Sequence, residues 1–327
     1  AQAGLKSVEL QPKEGLALLN GTQVSTALAL VGAREARQAL DSAVIIGALS
    51  TEAVLGSVTP FQDRIQQVRR QPGQIEVARR LRLLTEGSQF REMAHRSGRL
   101  QDPYCIRCQP QVHGACLDLL DTVDATLERE ADAVTDNPIV FPETNEILSG
   151  GNFHAEPVAF AADQTAIAIC ELGTISERRI AMMTDASLSG LPPFLTDDPG
   201  LNSGFMSGQI AAAAMVAENR QKAHPASVDS VPTVVNHEDH VSMATHGARR
   251  LTGMVETLNN ILATELLAAV EGCDHRGLEL SPRLKEVRDL LRSRVPRMNM
   301  DRAFGPAYQS AREIVTAGDV RLACGKV

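Results

Sequence analysis

The chain has 327 residues, with 32 Lys plus Arg against 40 Asp plus Glu, a formal net charge of −8 and a pI of about 5.6. An apolar share of 43% is enough for a sizeable core and excludes a disordered chain, while the acidic balance excludes phosphate-driven nucleic-acid binding as the main task. Aromatics make up only 3%, which argues against β-sandwiches and barrels, and Ala and Leu dominate the apolar residues, which favours helices.

The chain opens Ala1-Gln2-Ala3-Gly4, with no Met and no basic-then-apolar signal, so it is expected to be processed or to be a piece of something longer. Between Lys13 and Gln23, polar Asn20-Gly-Thr-Gln23 stands inside an otherwise apolar helical pattern. A buried Asn20 needs hydrogen-bond partners, either across helices or on a ligand. Gln101-Asp-Pro-Tyr104 followed by Arg107 gathers an amide, a phenol and a guanidinium. Tyr can move a proton and Arg can grip a carboxylate with two prongs; the alternative for Arg107 is an ordinary ion pair. Cys105-Ile-Arg-Cys108 has half of a zinc spacing without the second pair, so ordinary thiols are expected.

Val112, Ala115, Cys116, Leu119, Leu120, Val123 and Leu127 form a helical stripe opposite Asp118, Asp121 and Asp124, ending near Asp136-Asn-Pro138. A short β-hairpin is predicted over 139–148, around Pro142-Glu-Thr-Asn145. Ser149-Gly-Gly-Asn-Phe-His154 lacks the Lys-Ser/Thr of a phosphate loop, and its paired glycines suggest backbone close to a ligand or another chain. Long helices are predicted from Pro157 to about Met183, Ser203 to about Lys222 and His240 to Val270. Their low charge predicts burial on more than one side, in a large bundle or an oligomer interface. The longest uncharged apolar stretch, Leu201 to Ala217, is too short and polar to span a membrane, so a soluble protein is expected.

His237-Glu-Asp-His240 is not the His-Glu-x-x-His of zinc proteases, and no metal is assigned to it. Asp239 and His240 are expected to cap the following helix, with Glu238 a candidate site acid. A last, surface helix opens at Ser281-Pro282, a cap followed by Pro at the first helical position. No repeat or Pro/Gly linker divides 1–327, so one all-α domain is expected. Its six scattered Cys suit a reducing cytoplasm.

Taken in order, these segments resemble the histidine ammonia-lyases of the aromatic amino acid ammonia-lyase family. The resemblance runs through Lys13–Gln23, Gln101–Tyr104, Arg107-Cys-Gln-Pro-Gln-Val112, Asp136-Asn-Pro138, Ser149–Pro157 and Ser176-Glu-Arg-Arg179. It continues through Leu191-Pro-Pro-Phe194, Asn202–Met206, His224-Pro225, Val228-Asp-Ser230 and Glu238-Asp-His-Val-Ser-Met243, and is weakest at about 74–99 and after about 272. It implies an aspartase-like all-α bundle of long helices and a homotetramer whose sites combine residues from several subunits. It implies release of ammonia from L-histidine to give trans-urocanate. Asn20 matches the family residue that contacts the electrophile and the substrate, and Tyr104 one considered in proton transfer. Arg107 matches the carboxylate-binding Arg, Gln101 a pocket amide, Phe153 a site aromatic, and Glu238 the acid facing the imidazole.

The family electrophile, 4-methylidene-imidazol-5-one (MIO), forms from an internal Ala-Ser-Gly. This sequence has none: Ala186-Ser187 precedes Leu188, and Ser203-Gly204 follows Asn202. In the family that triplet lies upstream of the segment matching 13–23. The chain therefore resembles the C-terminal portion, and it is expected to be inactive alone. His237, Cys105-Ile106 and His113 depart from the histidine enzymes. Alternatives are a phenylalanine or tyrosine ammonia-lyase or aminomutase, and a non-catalytic scaffold. A prosthetic-group-free aspartase-like lyase lacks its Ser-loop signature here.

Overall fold

The computed structural model describes Gly4 and residues 6–327. Ala1-Gln2-Ala3, the basis for reading the chain's start, lie outside the described residues. Helix α1 (Glu14–Asn20) meets α2 (Gln23–Ala53) at a bend of 43°. The shorter α3 (Asp63–Arg69), α4 (Pro72–Leu84), α5 (Gln89–Met93) and α6 (Tyr104–Arg107) lead into α7 (Gln109–Ala131). The predicted hairpin follows as β1 (Ile139–Phe141) and β2 (Glu146–Leu148), antiparallel with Ile139 opposite Leu148. Then come α8 (Glu156–Thr184), one-turn α9 (Ala186–Ser189), α10 (Met206–Lys222) and α11 (Ala244–Arg276). The chain closes with α12 (Pro282–Arg294), α13 (Gly305–Ala317) and α14 (Asp319–Cys324). The all-α reading holds, with one small sheet among the described residues.

Three expectations change. The 31-residue α2 was not anticipated, because its second half is buried nearly all round and shows no one-sided stripe. The helix opening at Ser281 forms as predicted, with Ser281 Oγ accepting from the Leu284 amide at 3.3 Å, but it is not the last. Asp239 and His240 do not cap α11. Met243 occupies that position at φ 56°, because Ser230 Oγ takes the Val241 amide at 2.9 Å and keeps the preceding segment irregular.

The long helices have a definite polarity. Gly32 lies against Leu251 and Ala53 against Gly272, so α2 and α11 run parallel. Asp163 pairs with Arg250 and Arg179 with Glu265, so α8 runs with them. Gln109 meets Thr51 while Arg37 meets Asp121, so α7 runs against α2. Close approach needs glycine in places. A Cβ on Gly114 would sit 2.4 Å from the backbone nitrogen of Gln74, where α7 crosses α4. Helix α8 is long and apolar enough to cross a membrane by length and composition, but 67% of its most apolar window is buried inside the bundle.

Glu52 is 2% exposed at the end of α2. Burial pushes its carboxyl from 4.5 up to about 7, against the opposing pull of the Ser88 hydroxyl at 2.5 Å and of Arg91. A raised acid binds its proton more tightly folded than unfolded. Its stabilising contribution is therefore complete below pH 4.5 and is lost as pH rises to 7. The loss is about 3 kcal/mol. Urea unfolding of Glu52→Gln should show a flatter pH profile across that window than the parent chain. An unchanged slope would refute this account.

Candidate functional site

Because α2, α8 and α11 are parallel, their N-terminal ends gather at one end of the bundle, where the positive ends of three helix dipoles add. Asn20 closes α1 at the bend into α2, Phe153 lies just before α8 and Glu238 shortly before α11. Hydrogen bonds link these distant segments. The Thr22 amide donates to Thr135 Oγ1 at 3.1 Å, Asn152 Nδ2 to the Val134 carbonyl at 3.4 Å, and His154 Nε2 to the His240 carbonyl at 3.1 Å. Lys13 pairs with Asp136 and, with the Asn137 amide and the Asn20 side chain, holds that carboxyl below its usual range. That pairing spans 123 positions, and no local pattern announces it.

Asn20-Gly-Thr-Gln is a helix break and not a helix interior. A Cβ on Gly21 would meet the Thr135 carbonyl at 2.3 Å, so only glycine lets the chain turn there. Phe153 is half-exposed, and Cβ atoms on Gly150 or Gly151 would meet nothing within 4 Å. Packing among the described residues does not account for the two glycines. Glu238 is exposed and accepts from Thr233 Oγ1 at 2.7 Å. The turn behind it puts Val234, Val235 and Asn236 at φ 46°, 56° and 63°. Left-handed backbone at β-branched residues is costly and persists where the surroundings enforce it, typically at functional sites.

The second group sits at the opposite end. Asp102 accepts from the Ser57 amide at 2.7 Å and from Arg99 Nε at 2.9 Å, bracing the loop before α6. Gln101 lines a cleft of about 520 Å³ with Ser57, Arg82, Arg91 and His95. Tyr104 is 71% exposed, and the Arg107 guanidinium lies 4.8 Å from its ring centroid, a cation–π contact. Arg107 Nε is buried without a partner among the described residues. Beneath, Gln109 Nε2 donates to Thr51 Oγ1 at 2.8 Å and to the Ile106 carbonyl at 3.1 Å, which seats α6 on α2. Burial raises the Cys105 and Cys108 thiols, disfavouring the thiolate that a metal needs. His113 is fully buried with neither ring nitrogen paired among the described residues, and burial, with Arg179, pushes its pKa well down.

The two ends are far apart. At 1.5 Å per residue, the run of α2 from Gln23 to Thr51 sets the Asn20 end about 40 Å from the Thr51–Gln109 seat. Within one chain, Asn20, Phe153 and Glu238 share one end, and Gln101, Tyr104 and Arg107 share the other. His237 does not join His240; the His240 ring stacks instead on His154, 5.6 Å between centroids and 2° between planes.

A family model described as aromatic amino acid lyase matches residues 1–293. The structure is similar to histidine ammonia-lyase from Trypanosoma cruzi, at 40% identity and TM-score 0.91, covering 99% of this chain and 61% of that one. It is similar to tyrosine aminomutase from Streptomyces globisporus, at 37% identity and TM-score 0.92, covering 98% and 65%. It is also similar to ergothionase from Treponema denticola, at 26% identity and TM-score 0.90, covering 98% and 64%. The chain thus spans less than two thirds of each of these relatives.

Proposed function

The chain belongs to the aromatic amino acid lyase family, whose ammonia-lyases break carbon–nitrogen bonds, and we propose that it contributes most of the pocket of a histidine ammonia-lyase, releasing ammonia from L-histidine to give trans-urocanate. The observation that carries the choice of substrate is Glu238, an exposed carboxylate at the end where three helix N-termini converge. A carboxylate can accept an imidazole N–H or stabilise a charged ring, and it is poorly compensated against a neutral aromatic ring. That favours histidine over the phenylalanine and tyrosine reactions.

Further roles follow on this reading. Arg107 holds the substrate carboxylate by two parallel hydrogen bonds, which aims the β C–H at its base. Tyr104 moves a proton, Gln101 and Phe153 shape the pocket, and Asn20 orients the substrate amino-acid group. Side chains some 40 Å apart in one chain meet only where copies pack end against end. A cytoplasmic homotetramer with shared sites accommodates this. MIO, when present, withdraws electrons from the bound substrate. Asn20 and Tyr104 carry an amide and a hydroxyl of the kind that would hold it, although these 327 residues contain no Ala-Ser-Gly.

Intact mass, followed by absorbance at the urocanate band, tests the proposal. The 35.1 kDa chain alone should give no urocanate, and a preparation that also carries Ala-Ser-Gly, in one longer chain or a second polypeptide, should give it from L-histidine. Turnover of phenylalanine or tyrosine without histidine would assign the aminomutase or aromatic-lyase reading. No turnover with the triplet present would leave a non-catalytic scaffold.

A further inference from the structure

We propose that Gln109 is the positioning residue for Tyr104 and Arg107, a buried amide that fixes the one-turn helix carrying both. Thr51 is its partner, and Gly47 leaves the room it needs. What the two positioned side chains do rests on the lyase reading; how they are held rests on geometry alone.

Helix α6 is four residues long. One turn is too short to be stable by itself, since fixing its dihedrals outweighs its first hydrogen bonds. The body of the protein must therefore anchor it. Before α6, Asp102 ties the chain to the Ser57 amide and to Arg99. At its far end the anchors are the fully buried Ile106 side chain and the Gln109 amide, itself 0% exposed. Gln109 Nε2 donates to the Ile106 carbonyl at 3.1 Å, inside α6, and to Thr51 Oγ1 at 2.8 Å, on α2. Thr51 has no proton to return, because its hydroxyl donates to the Gly47 carbonyl at 2.9 Å. Both partners accept, so the amide must turn Nε2 toward them and Oε1 away. Three hydrogen bonds thus run from the inside of α6 to the backbone of α2.

Gly47 makes this arrangement possible. A Cβ there would lie 2.2 Å from Gln109 Oε1, with Gln109 Cδ next at 3.3 Å and Arg179 Cζ at 3.4 Å. Gly47 sits inside α2 without a positive φ, so its backbone suits alanine and its space does not. Glycine weakens a helix relative to alanine, and the amide supplies the reason for it here. Gln109 Oε1 has no hydrogen-bond partner among the described residues. The amide is held through Nε2 alone, and a push from position 47 is passed on to Ile106 and its turn.

Gly47→Ala is the decisive variant, because it leaves the amide, the Thr51 hydroxyl and α6 chemically intact. In the assembled enzyme that carries the electrophile, urocanate kinetics should show turnover lower by about 10–100-fold, with KM raised as well. Loss of both together marks displacement of the whole turn, not removal of one group from it. Thr51→Val, which lacks the acceptor, should show the same paired loss, and Thr51→Ser, which keeps it, should restore most of both. The Ile106, Arg107 and Cys108 amides close the α6 turn on Pro103 and Tyr104. Their hydrogen exchange should quicken by about tenfold or more in Gly47→Ala and Thr51→Val, and not in Thr51→Ser. Unchanged exchange in the first two variants would overturn the seat. Quickened exchange with parent-like kinetics would overturn the positioning role. An absence of urocanate from the parent enzyme would sink the lyase reading and leave exchange to decide the seat. If Thr51→Val fails to fold, Gly47→Ala still decides.

Discussion

Glu265→Gln is expected to cost about 3–5 kcal/mol of stability, the usual penalty for breaking one side of a buried ion pair. Both Glu265 and Arg179 have side chains with 0% exposure. Glu265 accepts from Arg179 Nε at 2.5 Å, Arg179 Nη2 at 3.0 Å and Ser50 Oγ at 2.6 Å, and also from Ser176. Four donors from α2 and α8 thus converge on one carboxylate of α11. An amide would bring its own N–H groups into that ring of donors and leave the Arg179 charge buried and unbalanced. Arg179 Nη1 already lacks a partner among the described residues, so the network has no slack. Paired replacement by Met at 179 and Leu at 265 should be much closer to the parent than Glu265→Gln, because it removes both charges together. Urea unfolding midpoints at constant slope measure all three. A Glu265→Gln loss under about 1 kcal/mol would show that the pair is not the clamp it resembles.

Tyr104→Phe should lower turnover by about 10²–10⁴-fold in the assembled enzyme that carries the electrophile, with KM changed only a few-fold. The substitution keeps the ring on which Arg107 stacks at 4.8 Å and removes only the hydroxyl. Substrate binding through Arg107 should therefore survive while proton transfer fails. Arg107→Lys should do the reverse and raise KM, since an ammonium cannot reproduce the two-pronged grip on a carboxylate. Steady-state urocanate kinetics separate the two outcomes. A Tyr104→Phe enzyme within tenfold of the parent in turnover would remove Tyr104 from the chemistry and leave it as the platform for Arg107.

Much of the fold was legible in one dimension. The stripe from Val112 to Leu127 lies within α7, and the hairpin falls inside 139–148. The expected spans from Pro157 to about Met183 and Ser203 to about Lys222 match α8 and α10 to within a few residues. These elements have one buried face or distinct turn chemistry, which leaves a periodic trace. Helix α2 leaves little, because a helix buried all round loses its amphipathic signature. The break at Gly21 looked like helix interior, since the carbonyl that forbids a Cβ there belongs to Thr135, far along the chain.

The candidate residues could be named from their order and chemistry, but not arranged. Local propensity and hydrophobic period report on a few turns of chain. The parallel course of α2, α8 and α11 depends on contacts such as Asp163–Arg250 and Arg179–Glu265, each joining residues more than 80 positions apart. That polarity alone puts Asn20, Phe153 and Glu238 at one end and Tyr104 and Arg107 at the other, and brings His240 to His154 and Glu156 while leaving His237 aside. Composition and periodicity determined a helical chain, and its resemblance to a family named the candidate side chains; the direction in which the long helices pack decided which of them can meet.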